Sequence, residues 1–260
     1  MAGDASTGTF LQGLERGLAV IRVFSAEAPS LTLSEVARAV GISPATARRI
    51  LLTLEELGYV RNDNRRFALT PRVLALGWAY LSSLDLGELA GPFMEELSAK
   101  TRESCSIATL DLPDIVYVAR VPTSRIMTVA LGVGARLPAY PTSMGRVLLS
   151  GLPDDELTAY LESLRAEALT DRTLTSVDSL RATITTARID GYALVDQELE
   201  LGLRSIAAPI RNSRGRIIAA LNVSAHASRS TPTSLHEEFL PHLQEAATQI
   251  TTALTHRGHL

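Results

Sequence analysis

The segment from Leu33 to Leu57 constrains the fold most, because its residue order is typical of two short helices joined by a tight turn. Small Ala37 stands where the helices would cross closely. Gly41 follows four residues later, where the turn needs a residue that accepts positive φ. Ser43 can cap the second helix, and Pro44 suits its first position, where a missing N–H costs nothing. The segment therefore predicts a helix-turn-helix.

The second helix of this motif is predicted to enter DNA. Its N-terminal end faces solvent in the predicted helix pair, and this is the part that meets base edges in known docking geometries. The candidate DNA-reading residues are Ser43, Pro44, Ala45, Thr46, Arg48 and Arg49. An ordinary helical hairpin inside a core is the alternative. The order of small residue, glycine, cap and proline, with two exposed arginines, favours DNA binding.

A β-hairpin is predicted directly after the motif. Two short apolar runs, 58–60 and 67–69, flank a polar Asn/Asp turn, which is typical of a hairpin. Its candidate DNA-contacting residues are Arg61, Asn64, Arg65 and Arg66. Arginines at such a tip can contact phosphates or reach into the minor groove. A solvated tip is the alternative, but the position after a helix-turn-helix favours a wing.

Length and charge distribution predict two domains with different surfaces. A chain of 260 residues with 46% hydrophobic content can bury two cores. Up to Tyr80 there are 9 Arg against 7 Asp and Glu, a net charge of +2. The rest has 16 Lys and Arg against 21 Asp and Glu, a net charge of −5. Only the first part is therefore suited to approach a polyanion.

Several classes of protein do not fit the chain. The single cysteine, Cys105, rules out an intramolecular disulfide and a Cys-rich zinc site. The first ten residues lack the basic start and apolar stretch of a signal peptide. No window approaches the roughly 18 apolar residues of a membrane span. We expect a soluble, cytoplasmic protein without a membrane partner.

The hydrophobic periodicity predicts an α+β protein. We expect a disordered tail at 1–9, a winged helix-turn-helix domain at 10–70, a linker helix with a dimer contact at 71–85, and a second domain at 86–260. In that domain, helices surround a largely antiparallel sheet with strands near 104–110, 115–121, 125–132, 192–196, 203–212 and 216–225. A terminal helix is predicted to begin with a capping box formed by Ser234 and Glu237. Pro241 should kink this helix or delay its start.

No catalytic constellation is apparent. The chain lacks a Gly-x-Ser-x-Gly elbow, a phosphate loop and a dinucleotide fingerprint. The five histidines fall in the last 35 positions without metal-ligand spacing. Asp196, Glu198 and Glu200 alternate along a predicted strand; a divalent metal is possible there, but a solvated or hydrogen-bonded edge is favoured. We expect neither an enzyme nor a cofactor or metal.

A binding site for a small carboxylate is predicted at a helix start. Thr142, Ser143, Met144 and Gly145 lead into a helix whose free N–H groups and positive dipole end attract an anion. Gly145 would permit close approach, and the hydroxyl groups of Thr142 and Ser143 would add donors. The alternative is that Thr142 only caps that helix.

Small polar side chains on the predicted sheet extend this site. Asn222 and Ser224 alternate along one strand and so point to one face. With Asp196 and Ser205 they lie among apolar neighbours, where polar groups require partners. A bound polar ligand would provide those partners.

Residues 10–257 resemble the IclR family of bacterial transcriptional regulators. The resemblance rests on Gly191-Tyr-Ala-Leu194, on Glu198, and on the stretch 202–210, GLRSIAAPI. The chain departs from the family at Val195, where Asp or Ser is usual and Asp196 is the candidate replacement, and at Arg211. The stretches QGLERGLAVIRVFS, RLPAYPTSMGRVLL and GYALVDQELELGLRSIAAPI are similar to the subgroup that controls aromatic-acid catabolism through the β-ketoadipate pathway.

The resemblance implies a GAF-like α/β effector domain and a homodimer, often a dimer of dimers, on palindromic double-stranded operator DNA. It also implies a small carboxylate effector held by Thr142, Ser143, Met144, Asp196, Ser205, Asn222 and Ser224. Two alternatives remain open. One is a dimeric DNA-binding regulator whose second domain only oligomerises, and the other is an enzyme, which would need a titratable cluster.

Overall fold

A computed structural model of the chain describes residues 10–25, 27–84, 86–123 and 132–256. The expected tail at 1–9 lies outside these residues, as does most of the expected strand at 125–132. The chain divides into two compact units, Met1–Tyr80 and Leu81–Leu260. The expected three-part division at residues 70 and 85 stays a prediction.

Up to Leu69, the described residues of the first unit form three helices and a three-stranded antiparallel sheet. Its elements are α1 (Gln12–Arg22), β1 (Leu31–Thr32), α2 (Leu33–Val40), α3 (Pro44–Glu56), β2 (Val60–Asp63) and β3 (Arg66–Leu69). The strand order is β1-β3-β2. One core holds the helices against the sheet and contains Val20, Val36, Leu51, Leu54, Val60 and Phe67. This arrangement confirms the predicted winged helix-turn-helix.

Local capping explains where α2 begins. Thr32 Oγ1 accepts a hydrogen bond from the Glu35 N–H, and Glu35 Oε2 accepts one from the Thr32 N–H at 2.7 Å. This reciprocal pair is a capping box, which satisfies two N–H groups that would otherwise lack partners. Helix α2 ends at Gly41 in the left-handed region, with φ 72° and ψ 32°.

A 3₁₀ turn (Pro71–Val73) and α4 (Leu74–Leu84) follow the wing. Thr70 caps the turn, since its Oγ1 accepts from the Arg72 N–H. The first seven residues of α4 bury no side chain, and four of them are large exposed hydrophobic residues: Leu74, Leu76, Trp78 and Tyr80. An apolar helix surface of this kind is typical of a protein contact.

In the described part of the second unit, helices lie on both faces of a six-stranded sheet. Its strands are β4 (Ser104–Asp111), β5 (Asp114–Val121), β6 (Arg136–Pro138), β7 (Ala193–Asp196), β8 (Leu203–Arg211) and β9 (Ile217–His226). The order is β6-β5-β4-β9-β8-β7, and every neighbouring pair is antiparallel. The helices are α5 (Leu86–Thr101), α6 (Ser143–Ser150), α7 (Asp154–Ser163), α8 (Val177–Asp190), α9 (Pro232–Ser234) and α10 (Leu240–His256). The α+β prediction is confirmed.

Two cores form because both faces of the sheet are apolar. Helices α5 and α10 pack on one face around Leu97, Ile206 and Ile250. Helices α6, α7 and α8 pack on the other face, around Leu149 and Ile184. The polar residues that line the cavity described below lie on the side of α6.

The predicted start of the terminal helix is wrong. The capping box is formed by Thr231 and Ser234: Thr231 Oγ1 accepts from the Ser234 N–H at 3.0 Å, and Ser234 Oγ accepts from the Thr231 N–H. Pro232 takes the first helical position, so the helical segment begins earlier than the box of Ser234 and Glu237 required. Residues Leu235–Phe239 form a π-helical turn before α10, in keeping with the N–H that Pro241 lacks.

Candidate functional site

The outer side of α3 is free, whereas its inner side is buried. Ser43 Oγ accepts from the Thr46 N–H at 3.2 Å, and Pro44 is the first helical residue. Ala47, Leu51 and Leu54 fill the core on the inner side. On the outer side Thr46 is half-buried and the exposed residues are Ser43, Pro44, Ala45, Arg48 and Arg49. The predicted DNA-reading set therefore forms one accessible end of a helix.

The turn before α3 has the predicted geometry. The Ile42 N–H donates to the Ala37 carbonyl at 3.0 Å, which ties the turn to the end of α2. A Cβ at Gly41 would meet no atom within 4 Å. The positive φ, rather than crowding, is the reason for glycine at this position.

The wing has a two-residue turn at its tip. Asp63 pairs with Arg66, and the residues between them, Asn64 and Arg65, have φ values of 49° and 67°. Positive φ at both positions is typical of type I′ hairpin turns. Arg61, Asn64 and Arg65 are exposed, as a contact with DNA would require.

Arg66 is the wing residue that the structure places differently. Its Nη2 donates to the Ser30 carbonyl at 2.6 Å, its Nε donates to Ser30 Oγ, and Glu35 lies 3.9 Å away. The guanidinium is thus held by the loop before β1 instead of extending freely from the tip.

Sequence reasoning missed Arg16. A cleft of about 350 Å³ between α1 and α3 is lined by Arg16 on one side and by Thr46 and Arg49 on the other. Gly13 and Gly17 also line it and leave it open. The charge of Arg16 is visible in the sequence, but only the packing of α1 against α3 brings it beside Thr46 and Arg49.

In the second unit, a small cavity lies between the start of α6 and the sheet, with a volume of about 20 Å³. Six of the eight expected effector residues line it: Thr142, Ser143, Met144, Ser205, Asn222 and Ser224. Tyr117, Arg120, Pro141, Val195, Leu199 and Leu203 complete the lining. Gly145 and Asp196, also expected there, do not contribute to it.

The polar side chains around the cavity are hydrogen-bonded to one another. Ser143 Oγ donates to Ser205 Oγ at 2.9 Å, and Asn222 Nδ2 donates to Ser224 Oγ at 3.0 Å. Buried polar groups need such partners, and here the protein supplies them itself. These groups therefore have partners without a ligand, and a ligand at this site stays a prediction.

Polar groups at the start of α6 also have hydrogen-bond partners within the protein. Thr142 Oγ1 accepts from the Gly145 N–H at 3.0 Å and donates to the Ala139 carbonyl at 3.1 Å, so Thr142 is a helix cap. A Cβ at Gly145 would lie 2.0 Å from the Ala139 oxygen. The glycine is required by this backbone contact and not by the approach of a ligand.

Arg120 is the charged residue of the cavity that sequence reasoning missed. It lies on β5 and its Nη1 donates to Ser106 Oγ at 3.3 Å, which leaves other N–H groups of the guanidinium for a ligand. Burial raises the pKa of the neighbouring Tyr117 to about 12, although the charge of Arg120 opposes this shift. The Tyr117 phenol is therefore neutral at physiological pH. An arginine within the apolar run IVYVARV was the available signal.

Asp196 faces away from the cavity, because successive residues of a strand point to opposite faces. Val195 is buried and lines the cavity, while Asp196 accepts from Arg204 Nε at 2.5 Å and Arg172 Nη1 at 2.9 Å. Burial alone would raise the pKa of Asp196, but hydrogen bonds from Arg204 and Gln197 hold it below its ordinary value. Asp196 therefore does not replace the family's polar residue at position 195.

The expected alternation of acidic residues is also wrong. Strand β7 ends at Asp196, and Gln197 has a positive φ of 61°, so the next acids leave the strand. Glu198 turns inward and pairs with Arg146 at 2.6 Å, with both side chains less than 10% exposed. Across the residues that the structure describes, no group of His, Cys, Asp or Glu has an arrangement suited to a metal ion. Among those residues, no helix is long and apolar enough for a membrane span.

A winged helix-turn-helix followed in the chain by an α+β unit with a buried polar cavity is typical of a regulator that binds DNA. The IclR helix-turn-helix domain model matches residues 13–64, and the bacterial transcriptional regulator IclR C-terminal model matches residues 78–252. The chain therefore belongs to the IclR family of bacterial transcriptional regulators, a family of regulators and not of enzymes.

Known relatives refine this comparison. The chain is 46% identical over 239 residues to the Pca regulon regulatory protein of Pseudomonas putida, covering 92% of this chain and 82% of that protein. A crystal structure from Rhodococcus sp. RHA1 is 57% identical, with a TM-score of 0.84 over 94% of this chain and 98% of that one. The inducer-binding domain of the Acinetobacter transcription factor PobR, a double mutant in complex with 3-hydroxybenzoic acid, is 34% identical, with a TM-score of 0.61 over 64% and 97%.

Proposed function

We propose that this chain is a one-component transcriptional regulator of aromatic catabolism, controlled by a hydroxybenzoate-type carboxylate bound in the cavity beside α6. The observation that carries the proposal is Arg120, the charged group among the lining residues of an otherwise polar and apolar cavity. The similarity to the PobR inducer-binding domain supports a hydroxybenzoate. The similarity to the Pca regulon regulator supports a role in the β-ketoadipate pathway.

The lining suits each part of such a ligand. A carboxylate can accept two hydrogen bonds from the guanidinium of Arg120, a geometry that favours Arg over Lys. Met144, Val195 and Leu203 offer apolar contacts for a ring. The hydroxyl and amide groups of Ser143, Ser205, Asn222 and Ser224 could exchange a hydrogen bond with one another for one with a ring hydroxyl.

Binding requires the cavity to expand. A benzene-sized ligand needs a cavity of about 150 Å³, far above the 20 Å³ found here. The ligand must separate Ser143 on α6 from Ser205 on β8, whose hydroxyl groups are hydrogen-bonded. Entry would therefore shift α6 relative to the sheet. A ligand changes operator affinity only by its different affinity for the two arrangements, typically about 1–3 kcal/mol of coupling.

The DNA contacts we propose are the exposed end of α3, the wing residues Arg61, Asn64 and Arg65, and Arg16 beside Arg49. The palindromic operator would be bound by a homodimer, and a dimer of dimers is consistent with the family. The exposed apolar residues of α4 support a dimer contact. This function places the protein in the cytoplasm with its operator.

The decisive experiment is a binding screen on the full chain by thermal shift and calorimetry. The ligands are 4-hydroxybenzoate, protocatechuate, β-ketoadipate and cis,cis-muconate, with catechol as the analogue without a carboxylate. We expect one carboxylate to bind saturably and Arg120→Gln to weaken it at least tenfold, about the loss of one charge-assisted hydrogen bond. Arg165→Gln, at an exposed arginine that does not line this cavity, is the matched control and should bind like the parent.

One observation favours a second candidate function, because the cavity is closed and its polar groups are hydrogen-bonded to one another. Under this function the second unit only oligomerises. Under that function none of the carboxylates would shift the melting temperature, and Arg120→Gln would leave operator binding unresponsive to them, as in the parent. A catechol response equal to that of the carboxylates would contradict the role of Arg120.

A further inference from the structure

A second recess lies at the opposite end of α6 from the effector cavity. The effector cavity is lined by residues at the start of α6, whereas Ser150 and Gly151 at its end line a recess of about 330 Å³. Four arginines surround this recess: Arg188, Arg211, Arg214 and Arg216. The second unit has a net charge of −5 by its sequence, so this concentration of positive charge is local.

Arg188 has a structural role in the recess. Its Nε donates to the Ser150 carbonyl and its Nη2 to the Leu152 carbonyl, both at 2.8 Å. Its Nη1 pairs with Asp154 at 2.7 Å. These bonds satisfy carbonyl groups at the C-terminal end of α6, where a cation is favoured. Arg188 therefore contributes charge to the recess while its donors are used.

The other three arginines come from the hairpin between β8 and β9. Arg211 Nη1 donates to the Gly215 carbonyl at 2.9 Å, which leaves further donors of that guanidinium. Arg214 and Arg216 are exposed, and neither forms an ion pair with an acid in the described part of the chain. Hydrogen-bond donors are thus available on the side chains of Arg211, Arg214 and Arg216.

The turn that presents these arginines is fixed. Asn212 Oδ1 accepts hydrogen bonds from the N–H groups of both Arg214 and Arg216, each at 3.0 Å. Gly215 supplies the positive φ of 76° that the turn needs. An anion would therefore meet backbone that is already ordered, which lowers the entropic cost of binding.

We propose that this recess binds a small multivalent phosphate-type oxyanion, such as the pyrophosphate portion of a nucleotide. In the part of the chain that the structure describes, the one ion pair of these four arginines is that of Arg188 with Asp154, whose side chain is 86% exposed. An anion would relieve the repulsion among the four positive charges, and guanidinium groups match phosphate oxygens in a bidentate geometry. The recess is concave and includes Gly151 and Ile217, which suits a small anion better than a flat macromolecular surface.

The test is calorimetric titration of the full chain with sodium pyrophosphate, without magnesium and at constant ionic strength. We expect saturable binding of one pyrophosphate per chain. The double variant Arg214→Gln/Arg216→Gln should bind at least tenfold more weakly. The charge-matched control Arg165→Gln/Arg181→Gln, at arginines outside the recess, should stay within twofold of the parent.

Two results of this titration would overturn the proposal. One is the absence of saturable binding at millimolar pyrophosphate. The other is equal binding by the parent and the Arg214→Gln/Arg216→Gln variant, which would locate the anion elsewhere, for example on the DNA-reading arginines. A third arm identifies the source: if pyrophosphate competes with a nucleoside triphosphate in the parent but not in the variant, the phosphates are what the recess recognises. If the variant instead lost only non-specific duplex binding and its salt dependence, the occupant would be DNA and the proposal would be wrong.

Discussion

Helices α3 and α6 begin in the same way and end up with opposite surroundings. In each, the cap hydroxyl accepts from the N–H three residues later, Ser43 from Thr46 and Thr142 from Gly145. The start of α3 is exposed and its polar groups face solvent, whereas every side chain of α6 is buried. The same local geometry is therefore exposed at the start of α3, the surface proposed for DNA, and enclosed at the start of α6, beside the cavity proposed for a small ligand.

Substitution of the third residue of each helix should give the largest difference in stability between the buried start of α6 and the exposed start of α3. Gly145→Ala would place a Cβ 2.0 Å from the Ala139 carbonyl oxygen, so the helix start must shift. We expect the free energy of unfolding of the second unit to fall by about 3 kcal/mol, the upper range of overpacking costs. Thr46→Ala changes a half-buried residue at the equivalent position of α3. It should lower the free energy of unfolding by less than about 1 kcal/mol. Urea titration of both variants measures the difference, and equal losses would contradict this comparison.

The second prediction concerns the exposed helix alone. Arg49→Ala should weaken operator binding by about 2 kcal/mol if Arg49 reads a guanine, because one bidentate base contact has about that value. Arg66→Ala should have a smaller effect, since the Arg66 guanidinium is already bonded to Ser30. Gel-shift titrations rank the two variants. A larger loss for Arg66→Ala would show that the wing arginine leaves Ser30 on DNA.

The third prediction tests the exclusion of Asp196 from the buried site. Its pKa is lowered from 3.8, so its charge stabilises the folded state above that pH, and the contribution is lost as the pH falls through the folded-state pKa. Asp196→Asn should therefore cost about 1–2 kcal/mol near neutral pH and progressively less below pH 3.8. Ligand affinity should be unchanged. A loss of stability that does not depend on pH would contradict the stabilising role of the Asp196 charge, and a loss of ligand binding would place Asp196 in the site after all.

The smallest effect is expected at the sheet side of the cavity. Ser224→Ala removes the acceptor of the Asn222 amide and should weaken effector binding about fivefold, the value of one neutral hydrogen bond. Operator affinity without ligand should be unchanged, because Ser224 lies in the second unit. Equal titration curves for variant and parent would remove Ser224 from the proposed contacts.

The two regions also differ in how far sequence predicts them. The α3 site depends on neighbours within a few residues, so the cap at Ser43, the proline and the Gly41 turn were all predicted from their order. The cavity depends on which strands lie side by side. The contact of Arg120 with Ser106 arises from the pairing of β5 with β4, and no periodicity within one segment indicates it.

The errors have the same origin. Asp196 was assigned to the effector site because it follows Val195 in the sequence. Successive residues of a strand point to opposite faces, so the two side chains lie on different sides of the sheet. Gly145 was assigned to a ligand, although its true neighbour is the backbone of Ala139, an approach set by tertiary packing. The capping box at Ser234 failed because an equally good cap with a following proline, Thr231-Pro232, stood three residues earlier.

If the proposed effector enters between α6 and the sheet, it must compete with the hydrogen bond between Ser143 and Ser205. If the expanded form has a population of about 1%, the apparent dissociation constant is a hundredfold weaker than the intrinsic one. A substitution that weakens this hydrogen bond would lower the effector concentration required for a response without adding any contact to the effector. The effector concentration that gives a response can therefore evolve through substitutions at this hydroxyl pair, independently of which molecule is recognised.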